Sequence, residues 1–176
     1  MKKLPLYGKT IVCFGDSLTE FSKTGGKSYP EYLAEFSGAT VINVGVGGSR
    51  FGQRTTPVDN PTNNLQVIAA CDIVNMVKAS CEQNFSKQIA GIQWEYKYGG
   101  YDKRHIIERL QNIDWSQVDI VVIQGGNNDW QGEQTLGTTG YTDFDVNHTF
   151  GALNYMIRLL TFTYPHIDVY VVGVTY

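Results

Sequence analysis

The sequence predicts an α/β protein, a three-layer αβα sandwich around a mostly parallel sheet. Two observations carry that expectation. Four short apolar runs, "TIVCF" (10–14), "TVINV" (40–44), "DIVVIQ" (119–124) and "IDVYVVGV" (167–174), are near-continuous rather than alternating, as strands buried on both faces are. Segments with helical periodicity fall between them, so strands and helices alternate, the pattern of a parallel sheet covered by helices. The chain has 176 residues, 42% hydrophobic and 18% charged, enough for one domain with its own core.

The elements follow in order. "TIVCF" is the first strand. "SYPEYLAEFSG" (28–38) places Tyr29, Tyr32, Leu33 and Phe36 at helical spacing and stops at Gly38. "TVINV" is the second strand and runs into glycines. "NLQVIAACDIVNMVKAS" (64–80) sets Leu65, Ile68, Ala69, Cys71, Asp72, Val74 and Val77 around a helix. Between 81 and 118 the pattern loosens: Trp94, Tyr96, Tyr98 and Tyr101 stand near glycines, and a short helix is expected near 103–111. "DIVVIQ" is the clearest buried strand. "TFGALNYMIRLLTFTY" (149–164) reads as a helix with Phe150, Leu153, Ile157, Leu160 and Thr161 in register, and "IDVYVVGV" closes the sheet.

Charge and composition narrow the function classes. A net charge of -3 without a run of Lys or Arg argues against nucleic acid as a partner. No apolar stretch has the length of a membrane span, and "MKKLPLYGK" has no apolar segment behind its lysines, so a cytoplasmic location is expected, with export by another route left open. Cys13, Cys71 and Cys81 lack metal-type spacing and read as free thiols in a reducing compartment. No metal and no cofactor are expected. "NVGVGGSR" fails the dinucleotide pattern, because Arg50 stands where the third glycine is needed. "TGGKS" fails the phosphate-loop pattern, because Phe21 stands where the first glycine is needed.

In open parallel sheets, ligands bind beyond the carboxyl ends of the strands. Three such ends carry "GDSLTE", "GVGGSR" and "GGNNDW". Ser17, in a strand-to-helix turn, is a candidate nucleophile with backbone N–H groups around it; the plainer alternative is that Asp16 and Ser17 only cap the turn. Thr19 excludes the nucleophile elbow G-x-S-x-G. Gly47 and Gly48 let backbone approach a ligand closely, or simply make a tight turn. Asn127 and Asn128 offer carboxamide donors, or an Asx turn.

Taken together, these segments resemble the GDSL, or SGNH, hydrolase family. "GDSLTE" matches its first block; Asn43, Gly45 and Gly48 match its second; Gly126, Asn127, Asn128 and Asp129 match its third. The resemblance implies an SGNH, flavodoxin-like fold and a serine ester hydrolase. In it Ser17 is the catalytic nucleophile, Gly48 and Asn128 complete the oxyanion hole, and Asp16 and Asp129 brace their loops. The family's fourth block, D-x-x-H, is expected after one more strand. The chain is therefore read as a single domain over 1–176, incomplete at its C-terminus, weak or inactive by itself, and with an exposed sheet edge. Of the three histidines, His105 reads as surface and His166 as lying at the amino end of the last strand. His148 has D-x-x-H spacing with Asp145 but the wrong position, at a helix start that Asp145 and Asn147 could cap. An ester of a small molecule or an O-acetylated carbohydrate is the expected substrate, the aromatics from Trp94 to Tyr101 stacking on sugar or forming a satellite core. A non-catalytic carbohydrate-binding module of a larger or viral assembly is the rival reading. Oligomeric state is left open.

Overall fold

The computed structural model describes residues 4–21, 26–54, 69–98 (backbone only for 94–98) and 102–173. Four strands, β1 (Thr10–Phe14), β2 (Thr40–Asn43), β3 (Ile120–Gly125) and β4 (Asp168–Gly173), form one sheet in the order β2-β1-β3-β4. Every pairing is parallel, with Val12 beside both Ile42 and Val121, and Ile123 beside Val171. Around the sheet lie α1 (Ser17–Glu20), α2 (Tyr29–Ser37), α3 (Ile73–Glu82), α4 (Ser86–Tyr98), α5 (Arg104–Gln111), α6 (Asn127–Gln131) and α7 (Thr149–Thr163), with a 3-10 turn at Trp115–Gln117.

Successive strand residues point to opposite faces, and each face has its own core. Val12, Phe14, Val121 and Ile123 face a large cluster built with α3, α4, α5 and α7, including Met76, Val77, Ile92, Leu110, Met156 and Leu160. Ile11 and Cys13 face a smaller cluster with Tyr29 and Leu33 of α2. The three layers are therefore the expected ones.

Local sequence sets the helix ends. Ser28 and Glu31 form a capping box at the start of α2, and Gly38 ends it in the left-handed conformation (φ 73°), where only glycine is free of Cβ strain.

Four details differ from the sequence reading. In α2, Tyr29 and Leu33 pack inward, while Tyr32 and Phe36 are exposed and stack on each other at 5.9 Å. In α7, the buried stripe is Thr149, Ala152, Met156 and Leu160, and Ile157 is exposed. The small residues win because this helix packs close: a Cβ on Gly151 would lie 2.2 Å from the Asp145 carbonyl oxygen. Residue His148, without a side-chain cap bond, is the N-cap; Asp145 instead accepts from the Asn147 backbone and side chain. Finally, α4 is a full helix where the sequence showed only a loose pattern.

The helix expected over 64–80 begins at Ile73 with Asp72 as its N-cap; its residues 64–68, like Tyr101, lie outside the described residues. Cys13, Cys71 and Cys81 are free thiols, the first two buried. The outer strand β4 exposes Tyr170, Val171 and Val172. Among the described residues no helix is long and apolar enough to cross a membrane.

Ile123 is fully buried at the centre of the sheet. Ile123→Ala is expected to cost about 2–5 kcal/mol by lost burial and the cavity left behind, read as a lowered urea midpoint with an unchanged slope.

Candidate active site

Parallel strands deliver their following loops to one edge, so the segments after β1, β2 and β3 meet there. Ser17 opens α1, half-buried, directly after the buried N-cap Asp16. The Asp16 carboxylate accepts the Leu18 N–H at 2.8 Å, which fixes the turn that presents Ser17. Thr19, fully buried one turn on, donates to Gln124 Oε1 of β3 at 2.9 Å.

The loop after β2 is stitched to this turn from several sides. Asn43 accepts the Gly45 N–H at 3.0 Å and donates to the Thr19 carbonyl at 2.6 Å. The Val46 N–H donates to the Gly15 carbonyl at 2.8 Å, and the Ser49 hydroxyl lies within reach of both the Val46 carbonyl at 2.6 Å and the Gly15 carbonyl at 3.0 Å. Gly45 packs so tightly that a Cβ there would lie 2.7 Å from the Glu20 nitrogen. A Cβ on Gly47 would lie 3.5 Å from Ser17 Cβ, so this loop borders the serine. The Gly47 N–H donates to Glu20 Oε2, and Gly48 has φ 85°.

The loop after β3 joins the other two. Asn128 Nδ2 donates to the Ser49 carbonyl at 2.9 Å and reaches Asp16 Oδ2 at a long 3.5 Å. Buried Asp129 accepts the N–H groups of Phe51 and Gly52 at 2.9 and 3.0 Å. The structure thus brings Ser17, Gly48 and Asn128 into one cluster of loops, and Asp16 and Asp129 both bind backbone N–H groups there.

The three histidines have different surroundings. His105 is exposed on α5. His166 Nε2 lies 3.2 Å from the Trp115 carbonyl, beside the amino ends of β3 and β4. His148 Nδ1 lies 3.6 Å from Asp145 Oδ2, and its Cβ crowds Gly137. The aromatic side chains from Trp94 to Tyr101 lie outside the described residues. A cavity of about 600 Å³ opens on the far side of Glu20 and is lined also by Asn43, Glu31 and Arg109, with neither Ser17 nor Asn128 in its wall.

Sequence reasoning missed a second tier. Asp72, fully buried, accepts the N–H groups of Arg50 and Arg54 at 3.0 and 2.9 Å and pairs with the Arg54 guanidinium at 3.0 Å. Its signal was visible: one carboxylate inside the apolar run "AACDIV". Burial pushes the Asp72 carboxyl up to about 7, against the pull of Arg54. Glu20 was the other missed residue, and its ion pair with Lys103 is largely buried.

Fold and site define an α/β protein with serine, glycine-loop and carboxamide segments gathered at the carboxyl edge of a parallel sheet. The sequence matches the GDSL-like lipase/acylhydrolase family over residues 11–149, and the chain belongs to that family. Solved structures share the fold. A Lactobacillus plantarum protein is 20% identical with a TM-score of 0.55, covering 96% of this chain and 57% of its own. A candidate GDSL-like lipase from Bacteroides ovatus is 15% identical with a TM-score of 0.56, covering 96% of this chain and 73% of its own. Another crystal structure is 25% identical with a TM-score of 0.59, covering 96% of this chain and 58% of its own. The chain thus spans less than three-fifths of the length of two of these three. No curated protein matches the sequence.

Two outcomes follow for the buried carboxylates. Asp129→Ala strands two buried N–H groups and is expected to cost about 3 kcal/mol, measured by urea denaturation. For Asp72 the folded value lies above the unfolded one. Its contribution is therefore full below the ordinary carboxylate range and is lost as pH rises through about 7. Asp72→Asn has no such loss, so its stability deficit against wild type should narrow from mildly acidic to mildly alkaline pH.

Proposed function

We propose that the chain is a serine esterase working through an acyl-enzyme. The reading is carried by one observation: the Asn128 carboxamide lies between Asp16 and the Ser49 carbonyl, so the serine turn, the glycine loop and the β3 loop share one locus. Family membership supports ester hydrolysis in general.

Ser17 Oγ attacks the ester carbonyl and gives its proton to a base. The developing oxyanion is held by the N–H groups of Ser17 and Gly48 and by Asn128 Nδ2, which trades its long contact to Asp16 for the substrate oxygen. The tetrahedral intermediate collapses, the alcohol leaves with the proton returned by the base, and water then cleaves the acyl-serine by the same steps. The base is not assigned among His105, His148 and His166: His148 pairs with Asp145 at 3.6 Å, and His166 Nε2 lies 3.2 Å from the Trp115 carbonyl. No metal or cofactor enters these steps. O-acetylated carbohydrate is the substrate class proposed, supported by the aromatic residues Trp94, Tyr96, Tyr98 and Tyr101 in the sequence.

The test is phosphonylation by a fluorophosphonate, followed by intact mass, with and without millimolar imidazole as a stand-in base. Labelling is expected at Ser17 alone, accelerated by imidazole, abolished in Ser17→Ala and slowed about 10²–10³-fold in Asn128→Ala. Fast labelling that ignores imidazole and vanishes in His148→Ala would assign the base to His148. Absence of labelling under both conditions would overturn the esterase. Among esters, preference for long acyl chains over acetylated sugars would remove the carbohydrate reading.

A further inference from the structure

The glycine loop is gripped at adjacent residues by two ion pairs that the chemistry above does not use. On one side, Glu20 Oε2 accepts the Gly47 N–H, and Lys103 Nζ lies 3.4 Å from the same oxygen. The two side chains are only 16% and 13% exposed, so this is not a solvated surface pair. On the other side, Arg54 Nη2 donates to the Gly48 carbonyl, while Arg54 Nη1 lies 3.0 Å from Asp72 Oδ1. Asp72 also accepts the backbone N–H groups of Arg50 and Arg54, which ties that guanidinium to its own loop.

The grips have different chemical demands. A glycine at φ 85° has a wide choice of conformations, and the direction of its N–H depends on the peptide planes before and after it. Glu20 holds the N–H at Gly47, one peptide before the Gly48 N–H. Arg54 holds the carbonyl of Gly48, one peptide after it. Held on both sides, the peptide that carries the Gly48 N–H has less freedom to turn. An oxyanion donor must be aimed before the charge develops, because reorganisation during reaction would forfeit the gain.

We propose that Glu20 and Arg54, backed by Lys103 and Asp72, are positioning residues that aim the Gly48 N–H at the oxyanion; this rests on the esterase reading above. Neither side chain is assigned contact with substrate. Their loss should therefore slow the bond-forming step and leave reversible association of the reagent nearly unchanged, whereas simple unfolding would depress both.

The experiment is Ser17 phosphonylation with imidazole, resolved into a reversible affinity and a maximal rate, together with amide hydrogen exchange at Gly47 and Gly48. Glu20→Ala and Arg54→Ala are expected to lower the maximal rate about tenfold or more, with affinity within about twofold and faster exchange at both glycines. Glu20→Gln, which keeps an acceptor for the Gly47 N–H, should recover most of the rate. Guanidinium added at low concentration should restore part of it to Arg54→Ala. Wild-type rates in both alanine variants, or loss of affinity and rate together in folded protein, would overturn the positioning role. If wild type itself is never phosphonylated, the esterase reading fails and the oxyanion role with it. Exchange at Gly47 and Gly48 still reports independently whether the two ion pairs hold the loop.

Discussion

Ser49 is the point on which the site turns. It is fully buried between three strand ends that are distant in sequence, and it is bonded to both of its neighbours. Its hydroxyl sits between the Val46 carbonyl at 2.6 Å and the Gly15 carbonyl at 3.0 Å, beside the serine turn, and its own carbonyl accepts from Asn128, which ties the β3 loop to the glycine loop. Buried polar groups must find partners, so once these backbone atoms leave water the three loops have one mutually satisfied arrangement. Helix packing sets the sheet; this cross-bonding sets the site.

The carboxylates illustrate the same constraint. Asp16, Glu20, Asp72 and Asp129 all lie near the cluster, and each accepts one or two backbone N–H groups from loops that have no strand or helix partner to offer. A loop carried below the surface has to satisfy its amides, and a carboxyl group offers two oxygens that can accept them. Asp16 and Asp129 adjoin Ser17 and Asn128 in the sequence, where they read as braces for their loops. Their bonds give them that task, holding loops in place.

Much of this was legible in the sequence, for physical reasons. Continuous β-branched runs can be little else than strands buried on both faces, and the parallel topology follows from the helices between them. The three polar strand ends were legible because glycine, serine and asparagine interrupt apolar runs there. Helix faces were less so. Phe36 and Ile157 satisfy helical periodicity yet lie exposed, while Ala152 and Gly151 are buried, since close packing selects small side chains that hydrophobic spacing ignores. Glu20, Arg54 and Asp72 were invisible as a group, because their link to Gly47 and Gly48 is a tertiary one: Asp72 is 22 residues from the Arg50 nitrogen it binds.

The division of labour in the cleft follows from where each part comes from. The proposed charge-holding half is drawn from the ends of β1, β2 and β3 and from the ion pairs beside them. The proton-accepting half is not assigned to a residue. An imidazole serves a serine only from within hydrogen-bonding distance. His166 lies beside the amino ends of the strands and His148 lies against Asp145 and Gly137. In the proposed reaction, a carbonyl seated at Ser17 meets the donors of the three loops, and removal of the serine proton is the step left to the base. That is why added imidazole, rather than a change of ester, is the variable that separates a built oxyanion hole from a complete catalyst.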